Sequence, residues 1–254
     1  MINSSVGKGC ILAACMLLLG ACDRGGAQAS TSAGSTHASY EVVTQTRPES
    51  VAGYASLNYL LAYGECKFAR EAMNLPAPKA AVQLPKDFII ERNTWLSNGK
   101  AFLSRREEFF VDIANMAPEN GCPTRLGSIS TTELVKDGVV QIVRLDVDGK
   151  REIDPPMPAG PPEEHDVVAE YPIRKTFNGI AMRCEAAAAH SLLQDACVAD
   201  LPDGTLTDGL GKPIMIHARD TLLQRGEQVL LTEPVRVQSG KAIDEQRLRL
   251  EGIK

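Results

Sequence analysis

The sequence has few aromatic side chains, no excess of basic residues, and none of the short motifs that mark common catalytic sites. Aromatic residues make up 5% of the 254 residues, and the net charge is −5. An acidic chain without a basic stripe is a poor partner for nucleic acid. The nucleophile elbow, the P-loop and the dinucleotide-binding fingerprint are missing. The sequence therefore predicts no cofactor and favours a non-catalytic protein over an enzyme.

The N-terminus carries an apolar run from Cys10 to Ala21, preceded by a single charge at Lys8. Its length of about 12 residues is too short to cross a bilayer, which needs about 20. The charged start, the apolar run and the small residues at its end are typical of a secretory signal peptide. We therefore expect residues 1–21 to be a removable export signal.

The residues that end this run are Leu19, Gly20, Ala21 and Cys22. They resemble the lipobox of bacterial lipoprotein precursors, which implies that Cys22 carries diacylglycerol and becomes the first residue of the mature protein. The tetrapeptide at 12–15 fits the same pattern, but it leaves only about five apolar residues before it, fewer than signal peptides use. An ordinary signal peptide or a buried helix is the alternative.

Two or three acyl chains would hold the protein stably on a membrane. The resemblance thus implies a cell-envelope protein that faces the periplasm and has the membrane as one partner. Asp23 follows the anchor and, by the rule for enterobacterial lipoproteins, favours the inner membrane over the outer, although Arg24 departs from the strongest form of that signal. Residues 22–40 contain mostly Ser, Thr, Ala and Gly, which predicts a flexible tether.

Four cysteines follow the anchor, and an even number in an exported chain predicts two disulfides. We favour the pairs Cys66–Cys122 and Cys184–Cys197. The alanine-rich segment after Cys184 is helix-forming, and a continuous helix would hold those cysteines about 20 Å apart. The local pair therefore requires the helix to end near Leu193 and residues 194–196 to fold back. Crossed pairing is the alternative.

The sequence as a whole predicts a strand-rich α+β fold with antiparallel hairpins and meanders and two to three helices. Two lobes are expected, at 41–151 and 167–254, joined by a proline-rich acidic linker at 152–166. Turn sequences predict hairpins at Asn98-Gly99 and Asp137-Gly138 and a further turn at Asp148-Gly149. Strands are also predicted over 213–223, 227–238 and 244–253.

Capping patterns predict where the helices begin. Thr46 to Glu49 form a capping box, which predicts a helix that runs until Pro76. Ser104 and Glu107 predict a second helix, over residues 107–116. A helix from Asp87, capped by Gly99, is the alternative to the Asn-Gly hairpin.

One strand carries the strongest candidate for chemistry. His217 and Arg219 share a face by the two-residue period of a strand, and Asp220 is expected at the following turn, so the three could form an acid/base or ligand-binding cluster. A solvent-facing polar row is the alternative. The acidic segment at 146–154 lacks the ligand pattern of a calcium loop, and the possible ligands at 163–166 lie in a loop without supporting contacts to hold them in place, so no metal site is predicted.

Three aromatic residues, Trp95, Phe109 and Phe110, are candidate anchors for a protein partner, with core packing as the alternative. We therefore expect a lipid-anchored, non-catalytic protein-binding or assembly module with a periplasmic protein partner. A more specific hypothesis is an immunity or inhibitor lipoprotein that blocks a cell-wall-targeting toxin. A different one is an envelope hydrolase or small-ligand-binding protein centred on His217.

Overall fold

A computed structural model describes residues 39–186, 192–202, 204–223 and 227–250, and its main element is one antiparallel sheet. Cys22 and the predicted signal peptide lie outside the described residues. The first half contributes β1 Tyr40–Pro48, β2 Glu91–Ser97, β3 Ala101–Asp112, β4 Arg125–Lys136, β5 Val139–Leu145, β6 Arg151–Ile153 and β7 Met157–Pro158. The second half contributes β8 Ile173–Phe177, β9 Ile180–Cys184, β10 Leu193–Ala199, β11 Met215–Leu222 and β12 Gln228–Ser239.

The first and last strands lie side by side in the middle of the sheet. The strand order is β6-β5-β4-β3-β2-β1-β12-β11-β10-β9-β8, and the two-residue β7 pairs with β5 off this path. Each half is therefore a meander, and the β1–β12 pair joins them. Strands from both predicted lobes thus belong to one sheet, and the described residues fall in one compact unit.

One long helix follows β1. It consists of α1 Val51–Ala55, a π-helical turn at Ser56–Leu60, and α2 Leu61–Ala72. Its N-cap is Ser50, whose hydroxyl accepts a hydrogen bond from the Gly53 amide at 3.0 Å. The predicted start at the Thr46 capping box is wrong, because Thr46 pairs with strands on both sides and belongs to β1.

The fold is mostly β, with this one long helix rather than the two to three helices predicted. The remaining helical segments among the described residues are single turns, α3 Val167–Glu170 and a 3-10 helix at Glu245–Leu248. The latter lies within the strand predicted over 244–253, of which residues 251–253 lie outside the described residues. In the described residues, no helix is long and apolar enough to cross a membrane.

The helix is fixed by the two irregular segments beside it. The Tyr59 and Tyr63 hydroxyls donate to the carbonyls of Val82 and Lys79, each at 2.6 Å. Further along the same side, Arg70 donates to the Pro76 carbonyl at 2.6 Å. The Cys66–Cys122 disulfide, with an S–S distance of 2.12 Å, ties the helix to the segment before β4.

The turn predictions are confirmed. Asn98-Gly99 joins β2 to β3, and Asp137-Gly138 joins β4 to β5 with positive φ at both residues. The alternative helix from Asp87 is wrong, because residues 91–97 form β2, which pairs with β1 and β3. The helix predicted from Ser104 and Glu107 is wrong, because residues 101–112 form β3, which is hydrogen-bonded on both edges. Long-range pairing has overridden the local capping pattern there.

The second disulfide joins neighbouring strands. Cys184 in β9 lies opposite Cys197 in β10, with an S–S distance of 2.09 Å. Two disulfides are thus confirmed, in the pairing that the sequence favoured. Of the helix predicted between these cysteines, residues 187–191 lie outside the described residues. β10 begins at Leu193, so residues 194–196 belong to a strand and do not form the predicted fold-back. This strand places Cys197 opposite Cys184.

The sheet buries side chains on both faces. On one face, Val42, Ile216 and Met182 belong to the larger buried cluster. On the other face, the C-terminal segment crosses β2 and β3 and packs Leu248 against Leu96 and Leu103. The second face is only partly covered by this segment, and its uncovered part forms the candidate site.

Candidate functional site: an arginine-lined cavity

Two rows of side chains form the floor of the site. Residues that lie opposite each other on neighbouring strands project from the same face, so the register of β1 to β6 defines each row. The first row runs Val43, Thr94, Arg105, Thr132 and Val143. The second row runs Arg92, Glu107, Ser130, Leu145 and Arg151. Arg105 therefore lies at the centre of the floor, between two threonines.

The C-terminal segment closes one end of these rows. Leu248 covers the neighbouring row of leucines, and Arg247 and Arg249 on either side of it line the space that remains. The result is a cavity of about 430 Å³, which we call the arginine cavity. Its arginines are Arg92, Arg105, Arg151, Arg236, Arg247 and Arg249, and its acidic residues are Glu41 and Glu107.

Glu41 is the buried acidic group of this cavity, with 6% of its surface exposed. Its carboxylate accepts hydrogen bonds from Arg236 at 2.8 Å and from both terminal nitrogens of Arg247 at 3.0 Å. The Arg247 hydrogen bond, followed by that of Arg236, lowers the pKa of Glu41 despite its burial. Glu41 is therefore ionised at neutral pH and fixes these two arginines at the cavity wall.

Glu107 is shared by two arginines of the floor. Its carboxylate lies 3.2 Å from Nη2 of Arg105 and 3.8 Å from Nη1 of Arg92. The Arg92 guanidinium also lies over the Phe109 ring, 5.8 Å from its centre. Both contacts hold the floor arginines in place while leaving most of their donors unused.

The cavity carries more positive charge than its own acidic groups neutralise. Six arginines face two glutamates, which leaves an excess of four positive charges in a chain whose net charge is −5. Within the described residues, Arg151 and Arg249 form no ion pair. The Nε atom of Arg105 is buried without a hydrogen-bond partner in that same part of the chain. Such a surplus of donors is matched to an anion.

The lining of the cavity also includes aliphatic side chains. Aliphatic side chains on its lining are Val43, Leu96, Leu103, Val143, Leu145 and Val235. Val235 is the extra residue of a β-bulge, because Val43 pairs with Arg236 while Thr44 pairs with Pro234. The side chain of Val235 is 57% exposed beside Arg236. Charged and aliphatic surfaces therefore meet within one cavity.

The predicted cluster around His217 is only partly assembled. His217 and Arg219 occupy alternate positions of β11 and share a face, as predicted, but Asp220 is within the strand rather than at a turn and faces the other side, opposite Leu193 and Leu230. The His217 ring packs against Phe177 at 4.9 Å between centres, and its burial lowers the pKa of the imidazole. Arg219 lies 3.5 Å from Glu49.

The three predicted aromatic anchors do not form one surface. Trp95 packs against the larger core cluster. Phe109 lies under Arg92 at the arginine face, and Phe110 lies close to Gly127, where an added Cβ would approach the ring to 3.2 Å. Trp95 and Phe109 project from opposite faces of the sheet. Phe109 is four residues after Arg105 on β3 and shares its face, whereas Trp95 lies opposite Ser104, which faces the other way. A single aromatic patch is therefore not present at these residues.

The acidic segments serve turns and ion pairs. The Asp146 carboxylate accepts from the amides of Asp148 and Lys150 at 3.0 and 2.8 Å, which closes the β5–β6 turn. Asp148 pairs with Arg125, and His165 lies between Glu163 and Glu170. The described residues contain no group of three or more His, Cys, Asp or Glu side chains that could hold a metal ion.

Comparison with known proteins gives no indication of function, so the function is inferred from the site. No family model, curated protein or solved structure matches this chain.

Sequence reasoning missed the arginine cavity because its charges come from separate parts of the chain. Arg92, Arg105, Arg151, Arg236 and Arg247 meet only when strands from both halves pair and the C-terminal segment folds across them. A signal was present in β2, where Arg92, Thr94 and Leu96 alternate with residues of the opposite face. That alternation indicates a polar, open sheet face, but not which arginines share it.

Proposed function

We propose that this protein is a lipid-anchored, periplasm-facing binding module without catalytic activity, and that it holds an anionic ligand or partner segment in the arginine cavity. The observation that carries the proposal is the excess of four positive charges in a cavity of about 430 Å³. Cavities of this size hold small molecules or short segments of a larger partner. The lipobox resemblance at Cys22 supports the envelope location.

The geometry favours binding over reaction. Glu41, the buried carboxylate of the cavity, is held by two arginines and has a lowered pKa, so it is a poor proton donor or acceptor near neutral pH. Arginine guanidiniums stay protonated and present fixed pairs of donors to carboxylates and phosphates. The groups of the cavity are therefore suited to holding an anion and not to transferring a proton.

Native mass spectrometry of the lipidated full-length protein, purified from its own membranes, tests this function. We expect the parent protein to retain an anionic ligand, or a second polypeptide that contacts it through an acidic segment. The double variant Arg151→Glu/Arg249→Glu should lose that species, because it converts to negative charges two exposed arginines of the cavity that form no ion pair within the described residues.

Arg106→Gln is the matched control. Arg106 neighbours Arg105 on β3 but projects from the opposite face, where it pairs with Glu91 at 2.6 Å. The Arg106→Gln variant removes one positive charge from the same strand and leaves the lining of the cavity unchanged, so binding should persist. A parent protein that carries no anionic species, or a double variant that keeps it, contradicts the proposed function.

A further inference from the structure

The arginine cavity also indicates which class of anion it takes, an inference that rests on the proposed function. We propose that its ligand is a phosphorylated amphiphile, with a phosphate group on the floor around Arg105 and an aliphatic part against Val43 and Val235. The ligand class follows from the kind of cation, the amount of charge and the position of the apolar surface.

The kind of cation favours a planar or tetrahedral oxyanion. All six basic residues on the cavity lining are arginines, and none is a lysine. Guanidinium groups donate paired hydrogen bonds that match carboxylate and phosphate oxygens. Arg105 lies between Thr94 and Thr132 in the same row, so hydroxyl donors flank its guanidinium on the floor.

The amount of charge favours phosphate over a carboxylate. The cavity has an excess of four positive charges. A single carboxylate supplies one negative charge, whereas a phosphomonoester carries about −1.5 to −2 at neutral pH and offers three acceptor oxygens. A phosphate group can therefore engage more of the unused arginine donors at once.

The position of the apolar surface favours an aliphatic part on the same ligand. Val43 and Val143 end the row that contains Arg105, and Val235 adds an exposed side chain at the bulge of β12. Val143 is already buried, whereas a free phosphate ion would leave the half-buried Val43 and the exposed Val235 in water, and a short acyl or alkyl chain would cover both. Burying apolar surface contributes about 25 cal/mol per Å².

The test uses isothermal titration calorimetry on the lipidated full-length protein in phosphatidylcholine nanodiscs. The probes are dihexanoyl phosphatidic acid, inorganic phosphate and dihexanoyl phosphatidylcholine, each below its micelle concentration. We expect the phosphatidic acid to bind at least about 10-fold more tightly than either of the others, since it alone joins a phosphomonoester to an aliphatic part.

Two variants locate this binding. Arg105→Gln and the double variant Arg151→Gln/Arg249→Gln should each weaken phosphatidic acid binding about 10-fold or more, the loss expected when hydrogen bonds to a charged group are removed. Arg106→Gln should stay within about twofold of the parent. Because Arg151 and Arg249 are exposed and form no ion pair among the described residues, the double variant keeps the test valid if Arg105→Gln fails to fold.

The outcomes separate the two proposals. Equal, arginine-dependent binding of inorganic phosphate and phosphatidic acid overturns the amphiphile inference but leaves an anion-binding function. Equal binding of phosphatidylcholine and phosphatidic acid overturns the inference as well, because the phosphate monoester then contributes nothing. If no probe binds in an arginine-dependent way while the native protein still carries an acidic partner segment, the inference fails and the proposed function stands.

Discussion

Glu41 connects the charge of the arginine cavity to the stability of the sheet. It lies in β1, the central strand, and its carboxylate holds Arg236 of β12 and Arg247 of the C-terminal segment. One side chain thus links three parts of the chain at the wall of the proposed site. Its loss should affect both folding and the positions of two ligand-facing arginines.

Replacing Glu41 by glutamine should lower the free energy of unfolding at pH 7 by about 1–3 kcal/mol, the range for hydrogen bonds to charged groups. Because the folded-state pKa of Glu41 is lowered, its contribution is complete above the unfolded pKa of about 4.3 and is lost as pH falls through the folded value. Urea denaturation between pH 7 and pH 3 should therefore show the parent–variant difference shrinking below about pH 4.

Glu119→Gln is the control for this series, since Glu119 is exposed and outside the ion pairs of the described residues. It should match the parent at every pH. A Glu41→Gln difference that stays constant down to pH 3 would show that ionisation of Glu41 does not stabilise the fold.

At the scale of elements, two loops are locked together by one close approach. Gly211 has φ +91°, and an added Cβ would lie 2.6 Å from the Glu163 carbonyl oxygen. The Glu163 amide donates to the Leu210 carbonyl at 2.7 Å beside it. The proline-rich segment is thereby fastened to the loop before β11, and only glycine fits at the contact.

Gly211→Ala should destabilise the protein by about 2–4 kcal/mol, because it combines backbone strain at positive φ with a steric clash. Thermal unfolding followed by circular dichroism measures this loss. Gly64→Ala is the control: Gly64 is in α2, with open space around the position of a Cβ, and should gain up to about 1 kcal/mol. Equal melting temperatures for the Gly211→Ala variant and the parent would contradict the contact.

The elements that sequence predicted well are those specified by a few neighbouring residues. Asp137, Gly138 and Gly99 adopt positive φ, and the Asn98 side-chain oxygen accepts from the amides of Lys100 and Ala101, so these residues select their turns locally. Thr46 and Ser104 begin equally good capping patterns, yet both lie in strands, because partners far along the chain bind their backbones. The arginine cavity escaped prediction for the same reason, since the pairing of distant strands assembles it.

At the scale of the whole molecule, the proposed function requires the sheet to be held at a membrane. The lipobox resemblance places the attachment at Cys22, about 18 residues before β1. The tether predicted from the composition of residues 22–40 would reach roughly 20–25 Å, which would keep the arginine cavity near the lipid surface. A binding site at that distance could meet amphiphiles that leave or enter the bilayer.

Cys22→Ala should abolish incorporation of labelled palmitate and release the protein from the membrane pellet, because it removes the residue proposed to carry the acyl chains. Cys15→Ala tests the competing lipobox and should leave both labelling and membrane association unchanged. Palmitate labelling followed by membrane fractionation measures both variants. Persistent labelling of Cys22→Ala would overturn the proposed anchor.

The central pairing of β1 with β12 has a consequence for biogenesis. β1 needs a partner that is made almost 200 residues later, so the sheet remains in two unjoined halves until β12 has been synthesised. Pairings of such long range are slow to form and leave strand edges open to neighbours meanwhile. A nascent chain of this kind would keep the unpaired edge of β1 exposed until β12 reaches it.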